Sequence, residues 1–156
     1  MTRSSIPSLS LVDDAVQCLA DDAALPLFRF TVSRDEEHVH LVMEDGKRVV
    51  DLGERIHHYA LLILVRRNID DVLAGRDTCS CGWTDRNDLA RMLGLDPCHL
   101  AVQMFRLRRQ LFAAGLTHAL IERRRGQLRA VGMSVSIVQG GGTMRAQLSG
   151  PIRFGA

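Results

Sequence analysis

The amino-acid sequence predicts an α+β domain in which a small antiparallel sheet is followed by helices and then by a basic β-hairpin. Short strand-like segments fill residues 27–52, helical patterns extend from there to about residue 114, and two apolar stretches flank a run of arginines at 123–125. With 156 residues, of which 46% are hydrophobic, the chain has the length and apolar content of one domain. We therefore expect an N-terminal extension at 1–26, a folded domain at 27–138 and a flexible tail rich in Gly and Ser at 139–156.

Residues 8–25 are predicted to form a short amphipathic helix. Leu11, Val16 and Leu19 follow helical spacing, with pairs of aspartates on the other side, and Pro26 ends the pattern. Such an apolar stripe has to be covered by other apolar groups. We expect it to pack on the sheet or against a second subunit, and the second arrangement would produce a homodimer.

Three consecutive segments, LFRFTVS, EHVHLVM and KRVVDL, have the composition of β-strands. They are rich in Val, Phe and Leu, and two of them alternate apolar and polar residues. The Asp-Gly pair at 45–46 is typical of the tight turn of a hairpin. The sequence therefore predicts a small antiparallel sheet at 27–52.

A long helix is predicted between Gly53 and Gly75, and its segment YALLILV at 59–65 is apolar on nearly every side. A helix of that kind lies at the centre of a core. The apolar run is far shorter than the roughly 20 residues that cross a bilayer, and no signal-peptide pattern precedes it, so we expect a cytoplasmic protein. His57 and His58, near the start of the helix, are interpreted as boundary or surface residues.

Two further helices are predicted to be joined by a tight turn. Thr84 is placed to cap the first helix and Gly94 to end it, while Asp96 and Pro97 start the next one, which runs to about Ala114. A turn of two or three residues between two such helices is the spacing of a helix-turn-helix. Together with the long helix, this pair would form a three-helix core.

The last of these helices, at 97–114, has an apolar side and a basic side. Leucines and a methionine at 100, 104, 107 and 111 recur at intervals of four and three and are expected to face inward. The remaining surface is rich in long side chains that can bond phosphate oxygens or the edges of purine bases. An ordinary solvated helix face is the alternative interpretation. The side chains of this helix that are expected to contact DNA are His99, Gln103, Arg106, Arg108, Arg109 and Gln110.

A basic hairpin is predicted at 119–131. Residues 99–132 carry seven basic residues and one acidic residue, whereas residues 1–52 carry five basic and ten acidic residues. This asymmetry favours binding of a polyanion by the basic part of the chain. The hairpin residues expected to contact DNA are Arg123, Arg124 and Arg125, at or near the tip, and Arg129, on the returning strand.

A helix-turn-helix followed by a basic hairpin predicts a winged helix. The expected fold is thus a winged helix-turn-helix with an N-terminal antiparallel sheet, a three-helix core, a C-terminal β-hairpin wing and an extra N-terminal helix. In such a domain the second helix of the pair enters the major groove of DNA, and the wing lies along the adjacent backbone or minor groove. The sequence therefore predicts binding of double-stranded DNA by helix 97–114 and wing 119–131.

Several motifs carry a resemblance to known families. LAVQMFRLRRQL at 100–111 and IERRRG at 121–126 resemble the recognition helix and the wing of the OmpR/PhoB-type winged-helix effector domain of bacterial response regulators. GW at 82–83, LARMLG at 89–94 and IERRRGQLR at 121–129 are similar to the C-terminal region of some bacterial proteins that carry a forkhead-associated domain. The resemblance implies sequence-preferring DNA binding in bacterial transcriptional regulation.

Other functions have weaker support in the sequence. The basic surface could instead serve a protein-interaction module that holds an acidic protein partner in a signalling or secretion-linked system. An enzyme is not expected and no cofactor is implied, because the sequence contains no phosphate-binding Gly-rich loop, no H-E-x-x-H and no G-x-S-x-G motif. Cys79, Cys81 and His99 could hold a metal ion, but a single closely spaced pair of cysteines is more typical of reduced thiols, and we expect no metal site.

Overall fold

The computed structural model of the chain describes residues 25–46, 48–116 and 119–148. The N-terminal helix predicted for residues 8–25 lies, except for its last residue, in residues 1–24, which are outside the described part. Within the described residues the chain forms three α-helices, α1 (Ile56–Leu73), α2 (Arg86–Met92) and α3 (Pro97–Ala113). The eight strands are β1 (Leu27–Val32), β2 (Val39–Asp45), β3 (Arg48–Glu54), β4 (Thr84–Asp85), β5 (Ile121–Arg124), β6 (Gln127–Ala130), β7 (Met133–Gln139) and β8 (Gly142–Leu148).

Five strands form a mixed sheet in the order β3-β2-β1-β7-β8. β1 pairs antiparallel with β2 and parallel with β7, so that Phe28 lies opposite Val135 and Phe30 lies opposite Ile137. Alternate residues of these strands point to one face, where Phe28, Phe30 and Met133 are fully buried. The strands predicted at 27–52 are confirmed, and they form part of this larger sheet.

α1 is the centre of the core and contacts β2, β6, β8 and α3. Leu61, Leu62 and Leu64 are all fully buried, which requires neighbours on more than one side of the helix. Apolar residues around most of its circumference let α1 pack against the five-stranded sheet and against α3 at once. The predicted central helix is confirmed. Neither α1 nor another helix in the described part of the chain is long and apolar enough to cross a membrane.

α2 begins at a capping aspartate. The carboxylate of Asp85 accepts hydrogen bonds from the backbone N–H groups of Asn87 and Asp88, which have no partner within the first turn of the helix. The prediction that Thr84 caps this helix is wrong. Thr84 is buried in the short strand β4, where it pairs with Leu128 of β6.

α3 follows after a short turn and begins as predicted. The carboxylate of Asp96 accepts a hydrogen bond from the backbone N–H of His99, and Pro97 occupies the first helical position. Gly115, with φ of 99°, ends the helix in a conformation that favours glycine. The inward apolar stripe is confirmed at Leu100, Met104, Leu107 and Leu111, which are all buried.

A second, three-stranded antiparallel sheet has the order β4-β6-β5. β5 and β6 form a hairpin in which Arg124 lies opposite Gln127. Gly126, in the turn, has φ of 70°, a left-handed conformation that residues with a Cβ rarely adopt. The predicted basic hairpin is confirmed, with Arg123 and Arg125 at or near its tip.

The predicted winged helix-turn-helix with a three-helix core is wrong as a description of the fold. The core lies between the helices and a five-stranded mixed sheet, and strands outnumber helices in the described residues. β7 pairs in parallel with β1 and lies between β1 and β8, so a late part of the chain completes the sheet that the first three strands begin. The described chain is a mixed α+β fold.

The flexible tail predicted at 139–156 is wrong where the structure describes it. Residues of β8 pair antiparallel with β7 along the strand. Gly140 and Gly141, both at positive φ, form the turn that joins the two strands. Residues 149–156 lie outside the described part.

Candidate nucleic-acid interface

Six arginines lie on α3 and at the tip of the β5–β6 hairpin. Five of them are exposed, and the sixth, Arg108, is partly buried where α3 approaches the hairpin. We call this set the arginine surface. Its members are Arg106, Arg108, Arg109, Arg123, Arg124 and Arg125.

The arginine surface lacks internal counter-ions in the part of the chain that the structure describes. None of its six members has a carboxylate oxygen within 4.0 Å, and neither have the neighbouring Arg55 and Arg86. Guanidinium groups are always charged at neutral pH, so this surface can attract an external anion. Seven arginines elsewhere do have such a partner, namely Arg29, Arg48, Arg66, Arg67, Arg76, Arg91 and Arg129.

Like charges repel each other around Arg108. Burial lowers the pKa of the Arg108 guanidinium below its usual range, and the positive charges of Arg123 and Arg86 lower it further. A cavity of about 410 Å³ adjoins this cluster and is lined by Arg86 and by the hairpin arginines. A phosphate group bound here would relieve the repulsion, because it supplies the missing negative charge.

Trp83 fixes one of the hairpin arginines. The guanidinium carbon of Arg124 lies 4.1 Å from the centroid of the indole ring, which is a cation–π distance. Nε of Arg124 also donates a hydrogen bond to Oε1 of Gln127 at 2.5 Å, while Nε1 of Trp83 donates to the carbonyl of Cys79 at 3.0 Å. Sequence patterns assign no role to Trp83, because only the pairing of β4 with β6 brings it beside the hairpin.

Arg129 belongs to the interior and not to the arginine surface. It is 9% exposed, and its Nη2 lies 2.7 Å from Oε2 of Glu122. Its Nη1 donates hydrogen bonds to the backbone carbonyls of Thr78 and Cys79 at 3.1 and 3.3 Å. The predicted role of Arg129 at a DNA interface does not fit a buried side chain whose donors bind the 76–83 loop.

Gln103 and Gln110 point towards the start of α1. Oε1 of Gln110 accepts hydrogen bonds from Nε2 of His57 and Nε2 of His58 at 2.7 and 2.8 Å, and its Nε2 donates to the carbonyl of Leu52 at 2.9 Å. Gln103 is 9% exposed, so its predicted outward position is wrong. The amide of Gln110 is already hydrogen-bonded to groups of the same chain, and the side chain of Gln103 is buried. Neither glutamine is therefore available to contact DNA bases.

His99 is exposed at the start of α3, as predicted. Its Nδ1 lies 3.0 Å from Oδ2 of Asp96. The hydrogen bond from the backbone N–H of His99 lowers the pKa of the Asp96 carboxyl. A contact between His99 and DNA stays a prediction.

His57 and His58 form a buried pair, which corrects their interpretation as boundary or surface residues. Their rings are nearly perpendicular, with centroids 4.7 Å apart. Burial lowers the pKa of both imidazoles, that of His58 to about 4, so that both are neutral at pH 7. Nδ1 of His58 is buried and has no hydrogen-bond partner among the described residues.

We expect the stability of the chain to decrease as the pH falls below 6.5, because of His58. The folded chain resists protonation of His58 until about pH 4, whereas the unfolded chain takes up this proton near the ordinary pKa of 6.5. The stabilisation is therefore fully present above pH 6.5 and is lost as the pH approaches 4. This group alone should lower the free energy of unfolding by about 2 kcal/mol between pH 7 and pH 5.

Urea unfolding of the wild type and of His58→Gln at both pH values measures this contribution. The variant should be less stable at pH 7 but should lose about 2 kcal/mol less than the wild type on acidification. The same pH dependence in both proteins would show that His58 is not the group responsible.

A cavity of about 630 Å³ lies between the start of α1 and the side of α3. Arg106 and Arg109 line it from α3, and Arg55 lines it from the position just before α1. His57 and Gln103, both buried, also line the cavity. Arg55 has no predicted role, because it lies about fifty residues from the basic part of the sequence and only the packing of α1 on α3 brings it there.

Exposed apolar side chains lie between the arginines on the outer side of α3. Val102, Phe105 and Phe112 are 44%, 61% and 75% exposed. They recur at intervals of three and seven along the helix, so they share its outer side with Arg109. This surface is therefore both basic and apolar.

The cysteines of the described residues are free thiols. Cys79 and Cys98 are exposed, whereas Cys81 is buried and donates a hydrogen bond to the carbonyl of Arg76 at 3.4 Å. Burial raises the pKa of the Cys81 thiol. In residues 25–46, 48–116 and 119–148, no group of three His, Cys, Asp or Glu side chains is placed to hold a metal ion.

No protein-family model, no curated protein and no solved structure matches this chain. The resemblance to OmpR/PhoB-type domains and to proteins with a forkhead-associated domain therefore stays a prediction, as does the expectation that the chain is not an enzyme.

Proposed function

We propose that the chain binds double-stranded DNA with a preference for certain sequences, and that it acts in bacterial transcriptional regulation. The observation that supports this most is the arginine surface, whose six cations have no carboxylate partner within 4.0 Å in the described residues. Protein surfaces of this kind bind phosphates, because neutralising the backbone releases the counter-ions condensed on DNA. Such a regulator acts where chromosomal DNA is, so a cytoplasmic location belongs to the proposal.

The two elements of the surface suit different parts of a duplex. A single α-helix fits the major groove of B-DNA, and α3 offers Arg106 and Arg109 on its exposed side. The hairpin carries its arginines at a turn, where they can contact the phosphate backbone next to the groove that the helix occupies. We therefore assign base contacts to α3 and backbone contacts to the hairpin. Gln103, Gln110 and Arg129 are not part of the proposed DNA-binding surface.

Two single substitutions should separate these roles. Arg106→Ala should cost about 1–3 kcal/mol of binding free energy on a selected duplex and should blur the sequence preference. Arg125→Ala should weaken all duplexes about equally and should reduce the slope of log affinity against log salt by about one. Fluorescence anisotropy with a selected and a random duplex over a salt series measures both effects.

Arg145 offers a matched control. It is exposed on β8, away from α3 and the hairpin, and it has no carboxylate oxygen within 4.0 Å among the described residues. Arg145→Ala removes the same charge and should change duplex affinity much less than Arg125→Ala. The proposal fails if the wild type binds no duplex with micromolar protein at about 50 mM salt, or if all three variants behave alike.

A protein-interaction module is the second candidate, and the exposed apolar residues of α3 favour it. Phe105 and Phe112 would fit a partner that is both acidic and apolar. Binding to such a partner would respond less steeply to salt than binding to DNA. If Phe112→Ser left duplex binding intact but abolished binding to a protein partner, the surface would belong to that partner.

A further inference from the structure

The cavity between α1 and α3 is lined by more basic than acidic residues. Its volume of about 630 Å³ lies within the range of small-molecule sites, about 300–1,000 Å³. Arg55, Arg106 and Arg109 line it together with Glu54, so the charged residues around the cavity have an excess of two positive charges. The Glu54 carboxylate lies 3.5 Å from Nδ1 of His38 and pairs with none of the three arginines within 4.0 Å.

The arginines are carried by two helices that are joined beside the cavity. Gln110 of α3 bonds to both histidines at the start of α1, and it bonds to the backbone of Leu52 as well. These contacts fix the position of Arg55 relative to Arg106 and Arg109. The backbone that carries the three arginines is therefore held in place before an anion binds.

The cavity also has an apolar part. Ile56 and Ala113 line it, and Ile56 is 59% exposed. The buried polar groups of His57 and Gln103 lie on the inner side. An inorganic anion would use only the arginines, whereas an ester with an organic group would also cover Ile56.

We propose that this cavity binds the phosphate group of a phosphate ester between Arg55, Arg106 and Arg109. A phosphate monoester carries close to two negative charges at neutral pH, which matches the excess charge of the cavity. The planar, forked guanidinium groups can each offer two parallel hydrogen bonds to phosphate oxygens. Two sources share this chemistry, a free monoester and the backbone of DNA. The cavity shares two arginines with the proposed DNA surface, but binding of a free ester does not depend on that function.

Calorimetric titration of the full chain with AMP, with adenosine and with a random DNA duplex tests the site and distinguishes the two sources. We expect AMP to bind at least about tenfold more tightly than adenosine, which lacks the phosphate. Arg55→Ala should weaken phosphate binding by about tenfold or more, whereas Arg125→Ala, on the hairpin, should leave AMP binding unchanged. The Arg55 side chain makes no capping hydrogen bond to α1, so its removal should preserve the helix, which circular dichroism checks.

The titrations with Arg55→Ala decide the outcome. Weaker binding of AMP by this variant assigns the cavity to a free ester, and weaker binding of the duplex alone assigns it to a backbone phosphate. Either result supports the phosphate site. If the wild type binds AMP but no duplex, the site stands and the proposed DNA function fails. The phosphate site is refuted if the folded variant binds AMP and duplex as the wild type does, or if Arg125→Ala weakens AMP binding equally.

Discussion

Replacing Val135 by aspartate will abolish folding of the chain. Val135 is 1% exposed and lies on β7, opposite Phe28 of β1. An aspartate at this position would place a carboxylate without a partner among apolar side chains, at a cost of several kcal/mol. That cost is comparable to the whole stability of a domain, about 5–15 kcal/mol. Circular dichroism during heating should therefore show no cooperative unfolding transition.

Val138 provides the matched control on the same strand. Its side chain is 37% exposed, so an aspartate there stays in contact with water. Val138→Asp should cost about 1 kcal/mol or less, mainly through the poor β-propensity of aspartate. If the two variants unfolded at the same temperature, β7 would not lie in the core, and the parallel pairing of β1 with β7 would be refuted.

The position of β7 shows where the sequence stops predicting the fold. Neighbouring strands such as β2 and β3 can be recognised together, because the Asp-Gly turn at 45–46 joins them directly. β1 and β7 are separated by about a hundred residues, and no local pattern specifies that they pair. Their pairing depends on how α1 and the smaller sheet fold between them, which is a property of the whole chain.

The sequence predicted some positions of the candidate site correctly and others wrongly. Helical periodicity correctly identified the inward stripe at Leu107 and the exposed positions of Arg106 and Arg109. It could not predict that α3 has a second covered side, where Gln103 and Gln110 meet the start of α1. Periodicity indicates one buried direction, whereas a helix that packs against two elements has two.

Replacing Arg129 by alanine should lower the free energy of unfolding by about 3–5 kcal/mol. The substitution removes both hydrogen bonds to the Glu122 carboxylate and leaves that carboxylate partly buried without its cation. It also leaves the carbonyls of Thr78 and Cys79 without their donor. The substitution also removes the cation–π contact with Trp83, whose ring centroid lies 4.6 Å from the guanidinium carbon of Arg129. Urea unfolding at neutral pH measures the loss.

Arg125→Ala is the control for this measurement, since Arg125 is exposed and its removal should change stability by about 0.5 kcal/mol or less. The double variant Arg129→Met with Glu122→Leu should recover part of the loss, because no charge is then left without a partner. Under conditions in which Arg129→Ala is still folded, it should bind DNA as tightly as the wild type, whereas Arg125→Ala should bind more weakly. The opposite result would be a stable Arg129→Ala protein with impaired DNA binding. It would show that Glu122 and the 76–83 loop do not require the guanidinium, and that Arg129 contacts DNA instead.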